Sequence, residues 1–194
     1  EAGLLSVADK NIDYIDITTD DNGKLIPKED RVNRLVEAHK YLQSAEAVAK
    51  YDTVFVDSLT EISQCMFDRL KKDYPERKDS LPLYGDLAIK TRDIIKAFRD
   101  LPGYNVVFTC LATVDKDESG KRFAAFDVIG GISGKLPQFF DFVAYLRTSA
   151  DGTRELVCDS TDSITAKNRG GKLSKTEPAN LTLVFDKIKG VKSV

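Results

Sequence analysis

Two strand-like segments of this sequence end near a residue that could contact a phosphate group or a metal ion. The apolar run Val54-Phe55-Val56 is typical of a buried parallel strand, and Asp57 follows it directly. The segment 105-NVVFTC-110 is a second such run, with Thr109 close to its end. Ligands of open α/β sheets bind beyond the carboxyl ends of the strands. At such an edge a carboxylate can hold a Mg²⁺-bound water, and a hydroxyl can sense a γ-phosphate.

Both residues also have a simpler interpretation. Asp57 and Ser58 precede a helical stretch, and both residue types cap helix N-termini well. Threonines are common at strand ends, so Thr109 alone is a weak signal. The sequence leaves these alternatives open.

A third candidate is a basic segment, 164-ITAKNRGGKLSKTEP-178, which contains Lys167, Arg169, Lys172 and Lys175. Lys167 and Arg169 are two residues apart, so on an extended segment they point to the same side of the chain. The segment is either a solvated basic loop or a cationic finger that reaches a phosphate group.

The glycine-rich stretch 126-FDVIGGISGKLPQFF-140 superficially resembles a phosphate-binding P-loop. That pattern requires Gly, four residues, Gly, Lys and then Ser or Thr. Here Gly130 and Gly134 are separated by three residues, and Lys135 is followed by Leu136, which has no hydroxyl for Mg²⁺. We therefore interpret the stretch as a flexible glycine-rich loop.

The elements that must position these residues follow from hydrophobic periodicity. In order, the pattern predicts a strand at 12–17, a helix at 27–50, a strand at 54–56, helices at 62–74 and 87–101, and a strand at 104–112. Loops are expected at 75–85 and 113–137. Strands linked by short turns are expected at 142–147, 154–159, 163–167 and 181–186. This order favours an α/β fold with a mostly parallel sheet flanked by helices and antiparallel strands at the C-terminal side.

Composition limits the classes of function. The chain has 194 residues, of which 42% are hydrophobic and 31% charged, and its net charge of −2 gives no global basic field for nucleic acid. The three cysteines, Cys65, Cys110 and Cys158, lie far apart in apolar segments, which suggests buried thiols in a reducing compartment. His39 is the only histidine, so a histidine-based catalytic or zinc site is not expected. No apolar run has the length of a membrane span, and we expect no membrane partner.

Together, four short motifs resemble RecA-like P-loop ATPases. The similarity is greatest to the AAA-type family of phage recombination cassettes, which is associated with single-strand annealing functions. The motifs are, in order, Glu1-Ala2-Gly3, the Walker B-like Val54–Ser58, the sensor-like Val106–Cys110, and Ala166–Arg169 before Glu177-Pro178. The resemblance covers almost the whole chain. It implies one RecA-like ATPase core domain over residues 1–194, truncated at the N-terminus so that the P-loop (Walker A) segment is absent.

The resemblance also implies a role for each candidate residue, with ATP and Mg²⁺ as cofactors. Glu1 would be the general base that activates the attacking water. Asp57 would hold Mg²⁺ through water with Ser58 beside it, and Thr109 would link the γ-phosphate to a DNA loop. Lys167 and Arg169 would act in trans on the nucleotide of a neighbouring subunit.

The partner implied by the resemblance is single-stranded DNA. The loops at 75–85 and 113–135 would meet it through their cations: Arg77, Lys78, Lys116, Lys121, Arg122 and Lys135. The stretch from Gly130 to Lys135 matches the DNA-facing loop of the family. Phe123 and Phe126 could stack on bases or pack into the core. A homo-oligomeric ring or filament, a single-strand-binding or annealing protein as a further partner, and the cytoplasm of a bacterial host are also implied.

Two other functions remain open at this level. The first is a non-hydrolysing recombination mediator, in which Asp57 only caps a helix. The second is a Mg²⁺-dependent nuclease, which would need several converging carboxylates, and no spacing in the sequence identifies such a cluster.

Overall fold

The computed structural model describes residues 12–77, 80–116 and 118–190, which form a mixed α/β chain. The α-helices in these residues are α1 Arg31–Leu42, α2 Ala45–Lys50, α3 Leu59–Asp73, α4 Leu81–Arg99 and α5 Leu181–Lys189. The strands are β1 Thr53–Val56, β2 Asn105–Phe108, β3 Ala112–Lys116, β4 Arg122–Phe126, β5 Phe142–Val143, β6 Tyr145–Thr148, β7 Arg154–Val157, β8 Lys167–Asn168 and β9 Thr176–Pro178. Short 3-10 helices span Lys28–Asp30, Pro75–Arg77 and Ser133–Phe139.

The main core lies against the parallel pair β1 and β2. Alternate residues of these strands share one face of the pair, because side chains alternate along a strand. On that face Val54, Val56, Val106 and Phe108 pack with the main core cluster, which includes buried residues of α3 and α4. The two apolar runs therefore form neighbouring parallel strands as predicted, but only one face of the pair is packed on the core, and Phe55 on the other face is 59% exposed.

α3 is the element that follows Asp57. It begins after Ser58, whose Oγ accepts a hydrogen bond of 3.3 Å from the amide of Glu61. Leu59, Ile62 and Met66 are buried along one side of the helix at helical spacing. The cap and this apolar stripe explain where α3 starts and how it docks on the sheet.

The helical regions differ from the prediction at their ends. The stretch 27–50 is divided into a 3-10 turn, α1 and α2, and Ser44 starts α2 by accepting a hydrogen bond from the amide of Ala47. α4 begins at Leu81, before the predicted Leu87, because Pro82 lies in its first turn, where proline is well tolerated. Residues 75–77 and 81–85 of the predicted loop are thus helical.

Two predicted strands are absent from the described residues. Residues 12–17 form no strand, and Ile12, Tyr14 and Ile15 are exposed, so their alternation does not correspond to a buried face. Residues 181–186 belong to α5. Asn180 caps that helix by accepting hydrogen bonds from the amides of Thr182 and Leu183, and the left-handed Gly190 ends it.

The region 113–137 is more regular than the predicted loop. β3 and β4 form an antiparallel hairpin, with Asp115 opposite Phe123. The 3-10 helix Ser133–Phe139 follows, and the fully buried Leu136 anchors it in the main core. The proline at 137 is compatible with this short helix, and the hairpin context agrees with the conclusion that this glycine-rich stretch is not a P-loop.

The sheets of the described residues are small. β1 and β2 are parallel, whereas the pairs β3–β4, β5–β8, β6–β7 and β7–β9 are antiparallel. The C-terminal strands are antiparallel as predicted, but the strand expected at 163–167 is reduced to β8 at Lys167–Asn168, and β9 at Thr176–Pro178 was not predicted. The predicted mostly parallel sheet is not confirmed. None of the described helices has the length and apolar character that crossing a bilayer requires.

Two of the three cysteines are buried, as the sequence predicts. Cys65 and Cys158 are buried, and Cys110 is partly buried. Burial, together with the neighbouring carboxylates of Glu61 and Glu177, raises the pKa of the Cys65 and Cys158 thiols to about 11. Both thiols are therefore held in the protonated form.

Candidate nucleotide site

The candidate site lies at the carboxyl edge of the β1–β2 pair. The strands are paired in register, so that Val56 lies beside Phe108. Asp57 and Thr109 are the next residues of the two strands and come together at the same edge. The prediction that the two runs are neighbouring parallel strands with both polar residues at one edge is confirmed.

Asp57 and Thr109 are in direct contact. The Thr109 hydroxyl donates a hydrogen bond to Oδ1 of Asp57, although the two residues are 52 positions apart. The backbone fixes both residues, because the amide of Thr109 donates to Val56 O at 3.1 Å and the amide of Leu59 donates to Thr109 O at 2.8 Å. Asp57 and Thr109 already contact each other, and both residues are exposed, so a ligand can reach the pair.

Ser58, and not Asp57, is the helix cap. The Ser58 hydroxyl accepts the amide of Glu61, whereas Asp57 lies one residue before the cap position. Asp57 is therefore not the N-cap residue of α3. The Asp57 carboxylate faces a strand-end hydroxyl, an arrangement that leaves it able to accept from a metal-bound water.

Sequence reasoning missed the ion pair that braces the start of α3. Arg31 Nη1 lies 2.9 Å from Oε1 of Glu61, and Arg31 Nε donates to the carbonyl of Ile26 at 3.2 Å. The Arg31 side chain is mostly buried, with 14% of its surface exposed. This contact ties the start of α1, and the segment before it, to the first turn of α3 near Asp57. No local pattern signals it, because Arg31 and Glu61 are 30 positions apart.

The two predicted interface cations have different surroundings. Lys167 Nζ donates to the carbonyls of Pro137 at 2.9 Å and Phe140 at 2.6 Å, so it binds the end of the 3-10 helix in its own chain. Arg169 Nη1 lies 2.7 Å from Oδ1 of Asp141, and both side chains are largely exposed. The cations do share one side of the chain, and that side faces residues 137–141.

The predicted DNA-contacting cations cluster on and near the hairpin. Lys116 and Arg122 form the last pair before the hairpin turn, and Lys135 is exposed in the first turn of the 3-10 helix. Lys121 Nζ lies 2.6 Å from Oδ2 of Asp162. The hairpin thus gathers Lys116, Lys121 and Arg122 at one end.

The two phenylalanines are distinguished by their packing. Phe126 packs against the main core, as the alternative to base stacking expects. Phe123 is half-buried and lines a groove beside the hairpin together with Phe126. Phe123 is therefore the better candidate for contact with a ligand.

Three predicted residues remain to be located. Glu1 and Lys78 lie outside the described residues. Arg77 is in the 3-10 turn before α4, where it pairs with Asp86 at 3.2 Å and stacks over the ring of Tyr74. Arg77 thus has partners within its own chain.

The fold and the site together define a class. A mixed α/β chain with a carboxylate and a hydroxyl at the carboxyl edge of parallel strands has the ligand-binding edge of open α/β proteins. A family model described as an AAA domain matches residues 1–170 of this chain. Searches of curated proteins and of solved structures found no match.

The match covers most of the 194 residues, so the chain belongs to the AAA domain family. This membership makes it a P-loop NTPase-like protein and indicates nucleotide-dependent activity in general. Members of this family typically use ATP and Mg²⁺.

Proposed function

We propose that the full-length protein is an ATPase of the phage recombination type that acts on single-stranded DNA. The observation that supports this most directly is the contact between Thr109 and Asp57 at the edge of the parallel pair. In a chain of the AAA domain family, this edge is the natural position for a nucleotide and its metal ion.

The residues at the edge fit a magnesium ion. Mg²⁺ prefers oxygen ligands and retains several waters, and the exposed Asp57 carboxylate and the adjacent Ser58 hydroxyl supply oxygen atoms of that kind. Asp57 would hold the ion through a bound water, and Thr109 orients the carboxylate by donating to it. The ion would supply positive charge against the phosphate groups of the nucleotide.

The remaining predicted roles belong to the same proposal. Glu1 acts as general base on the attacking water. Arg169 acts in trans on the nucleotide of a neighbouring subunit in a ring or filament. Lys167, proposed for the same role, must first leave two carbonyl acceptors, so we assign the larger effect in trans to Arg169.

The DNA-binding role is proposed for the hairpin and the 3-10 helix. Lys116, Lys121, Arg122 and Lys135 are exposed there and can neutralise phosphates, the usual source of affinity for nucleic acid. A single-strand-binding or annealing protein is proposed as a further partner, in the cytoplasm of a bacterial host.

The test is ATP hydrolysis by the full-length protein and two matched variants. Asp57→Ala removes the carboxylate at the carboxyl edge of β1, and Asp52→Ala removes an exposed carboxylate just before the other end of the same strand. We expect Asp57→Ala to lower the rate by about 100-fold or more, and Asp52→Ala to leave it unchanged.

The same measurement addresses the alternative of a non-hydrolysing mediator. An absence of ATP hydrolysis by the parent protein, with DNA binding retained, would favour the mediator. For the nuclease, no three His, Cys, Asp or Glu side chains come together as metal ligands within the described residues.

A further inference from the structure

A groove of about 190 Å³ runs beside the β3–β4 hairpin. Its walls are mostly apolar, with one carboxylate and two hydroxyls among them. The lining residues are Asp115, Phe123, Ala125, Phe126, Ser133, Gly134, Pro137 and Thr165.

One wall is a single face of the hairpin. Asp115 and Phe123 are directly opposite each other in the register, and Ala125 is two residues beyond Phe123. Residues at this spacing share a face of an antiparallel pair. Val114 belongs to the opposite face and is 70% exposed. The groove face therefore combines an aromatic ring and a carboxylate side by side.

The other wall is held in position by the core. Ser133, Gly134 and Pro137 belong to the 3-10 helix whose Leu136 is fully buried. The Ser133 hydroxyl donates to Phe126 O at 2.9 Å, which joins this helix to the end of β4. Lys167 Nζ donates to Pro137 O at 2.9 Å and fixes the far end.

Thr165 closes the groove from a third segment. The amide of Ala124 donates to Ser163 O at 2.8 Å, and Ala124 and Ile164 form a parallel bridge. These contacts bring Thr165 beside β4, and its side chain is exposed. Three separate parts of the chain thus converge on one small space.

We propose that this groove binds one unpaired nucleobase of single-stranded DNA, with the base against Phe123. The inference rests on the proposed DNA-binding function and names the part of the ligand that the groove recognises. Aromatic side chains stack on unpaired bases of any sequence. Lys135 is next to Gly134 in the chain and is exposed, so it can meet the flanking phosphate.

Asp115 gives the groove a preference among bases. A carboxylate accepts hydrogen bonds and cannot donate them when ionised. It therefore pairs with the exocyclic amino group of cytosine, whereas thymine offers only a ring N3–H between two carbonyl oxygens that repel a carboxylate. The Thr165 hydroxyl can donate or accept, whereas the Ser133 hydroxyl donates to Phe126 O and can only accept, so the two suit the remaining edge of the base.

The test compares the affinity of the full-length protein for three oligonucleotides of equal length: oligo-dC, oligo-dT and an abasic strand. We expect the parent to bind oligo-dC about 5- to 100-fold more tightly than the abasic strand, as one stacked base contributes. Phe123→Ala removes this difference without lowering the affinity for the abasic strand. Val114→Ala, on the opposite face of the same hairpin, keeps the difference.

A glycine pair supplies a second test that does not truncate the hairpin. A Cβ added at Gly134 or at Gly131 meets no atom within 4 Å, and neither glycine has a positive φ. Gly134 lines the groove, whereas Gly131 does not. We expect Gly134→Leu to weaken binding of oligo-dC at least several-fold and to leave the affinity for the abasic strand close to that of the parent, whereas Gly131→Leu, which leaves the groove open, should keep the difference between the two strands.

Asp115→Asn is expected to reduce the preference for oligo-dC over oligo-dT and to leave abasic binding at least as strong. Equal parent affinity for oligo-dC and the abasic strand would overturn the groove assignment and leave the proposed DNA-binding function intact. Loss of affinity for all three strands in Phe123→Ala, with Gly134→Leu unchanged, would also overturn it. A parent that binds none of the strands would overturn both proposals.

Discussion

Asp57 and Arg169 are each held by one neighbouring side chain, but the two contacts are built differently. Asp57 meets Thr109 because two core-packed parallel strands end together, and backbone hydrogen bonds fix both residues. Arg169 meets Asp141 on the surface, where 62% and 80% of the two side chains are exposed. Exposed ion pairs contribute only about 0–1 kcal/mol. The Asp57 contact is therefore part of the fold, whereas the Arg169 contact can be exchanged for another anion at little cost.

The largest effect is expected if Arg169 exchanges its contact with Asp141 for a contact with a nucleotide phosphate. If Arg169 reaches the nucleotide of a neighbouring subunit, Arg169→Ala should lower ATP hydrolysis by about 10³-fold or more, because the cation stabilises transition-state charge. Nucleotide binding and the thermal unfolding temperature should stay close to those of the parent. The measurement is steady-state hydrolysis alongside a thermal melt.

Mixing tests whether Arg169 acts in trans. Arg169→Ala and Asp57→Ala proteins should regain some activity when they are mixed under conditions where mixed oligomers form. At one of the two kinds of mixed interface, an intact Asp57 of one subunit faces an intact Arg169 of the other. A mixture that stays inactive although mixed oligomers are demonstrated would contradict the in-trans role. If Arg169→Ala by itself hydrolyses ATP at the rate of the parent, the segment 164–178 is a solvated basic loop.

Thr109→Val should have a smaller effect at the preformed edge. The variant keeps the shape of the side chain and removes the donor to Asp57, so the carboxylate loses its orientation but not its charge. We expect hydrolysis to fall about 10-fold, which corresponds to one hydrogen bond to a charged group. Thr109→Ser should retain most of the activity, and a Ser variant as weak as the Val variant would contradict the role of the hydroxyl.

A buried carboxylate paired with a half-exposed lysine provides a test of how burial changes the contribution of a charge contact to stability. Glu177 is 3% exposed and accepts from Lys187 Nζ at 2.6 Å and from the amide of Ser174 at 2.8 Å. Burial alone would raise the pKa of Glu177, and the hydrogen bonds from Lys187 and Ser174 outweigh it, so its pKa lies below 4.5.

Lys187→Met should lower the free energy of unfolding by about 1–3 kcal/mol at neutral pH, because it leaves a buried carboxylate without its cation. A depressed pKa stabilises the fold above the ordinary value and loses that contribution as pH falls through the folded value. The difference between parent and variant should therefore shrink below pH 4.5. Lys189→Met, an exposed lysine of the same helix, is the control, and a pH-independent difference would count against this account.

The smallest effect is expected for Asp141→Asn. Because the pair with Arg169 is exposed on both sides, its loss should change the free energy of unfolding by less than about 1 kcal/mol. Hydrolysis should remain within a few-fold of the parent, since Arg169 itself is intact. A large loss of stability, measured by chemical denaturation, would show that Asp141 holds more than a surface cation.

The parts of the fold that were predictable are those with a local cause. The runs around Val54–Val56 and Val106–Phe108 are apolar because both strands are packed on the core, and Ser58 starts α3 through its own hydroxyl. α5 was mistaken for a strand, although Asn180, Gly190 and the spacing of Leu181, Val184 and Ile188 together indicate a capped helix. The helical spacing was present in the sequence, but it was interpreted as the two-residue period of a strand.

Other features depend on contacts that no local pattern encodes. Lys167 binds carbonyls at positions 137 and 140, and Asp141 is 28 positions from Arg169, so neither partner could be read from the basic segment. The groove at Asp115 and Phe123 needed the hairpin register and the 3-10 helix together. The apolar residues at 12–17 predicted a strand, but they pair with no strand among the described residues, and all except Ile17 belong to the exposed surface.

The most direct test of the account is the affinity for ATP with and without Mg²⁺. If Asp57 holds the metal ion of the nucleotide, Asp57→Ala should weaken ATP binding by the full-length protein about 10- to 100-fold in Mg²⁺, the value of a charge-assisted hydrogen bond. With EDTA in place of Mg²⁺ it should bind ATP as the parent does, and Asp52→Ala should match the parent in both conditions. Equal weakening with and without Mg²⁺, or no weakening in either, would contradict the assignment of the β1–β2 edge as the nucleotide–metal site.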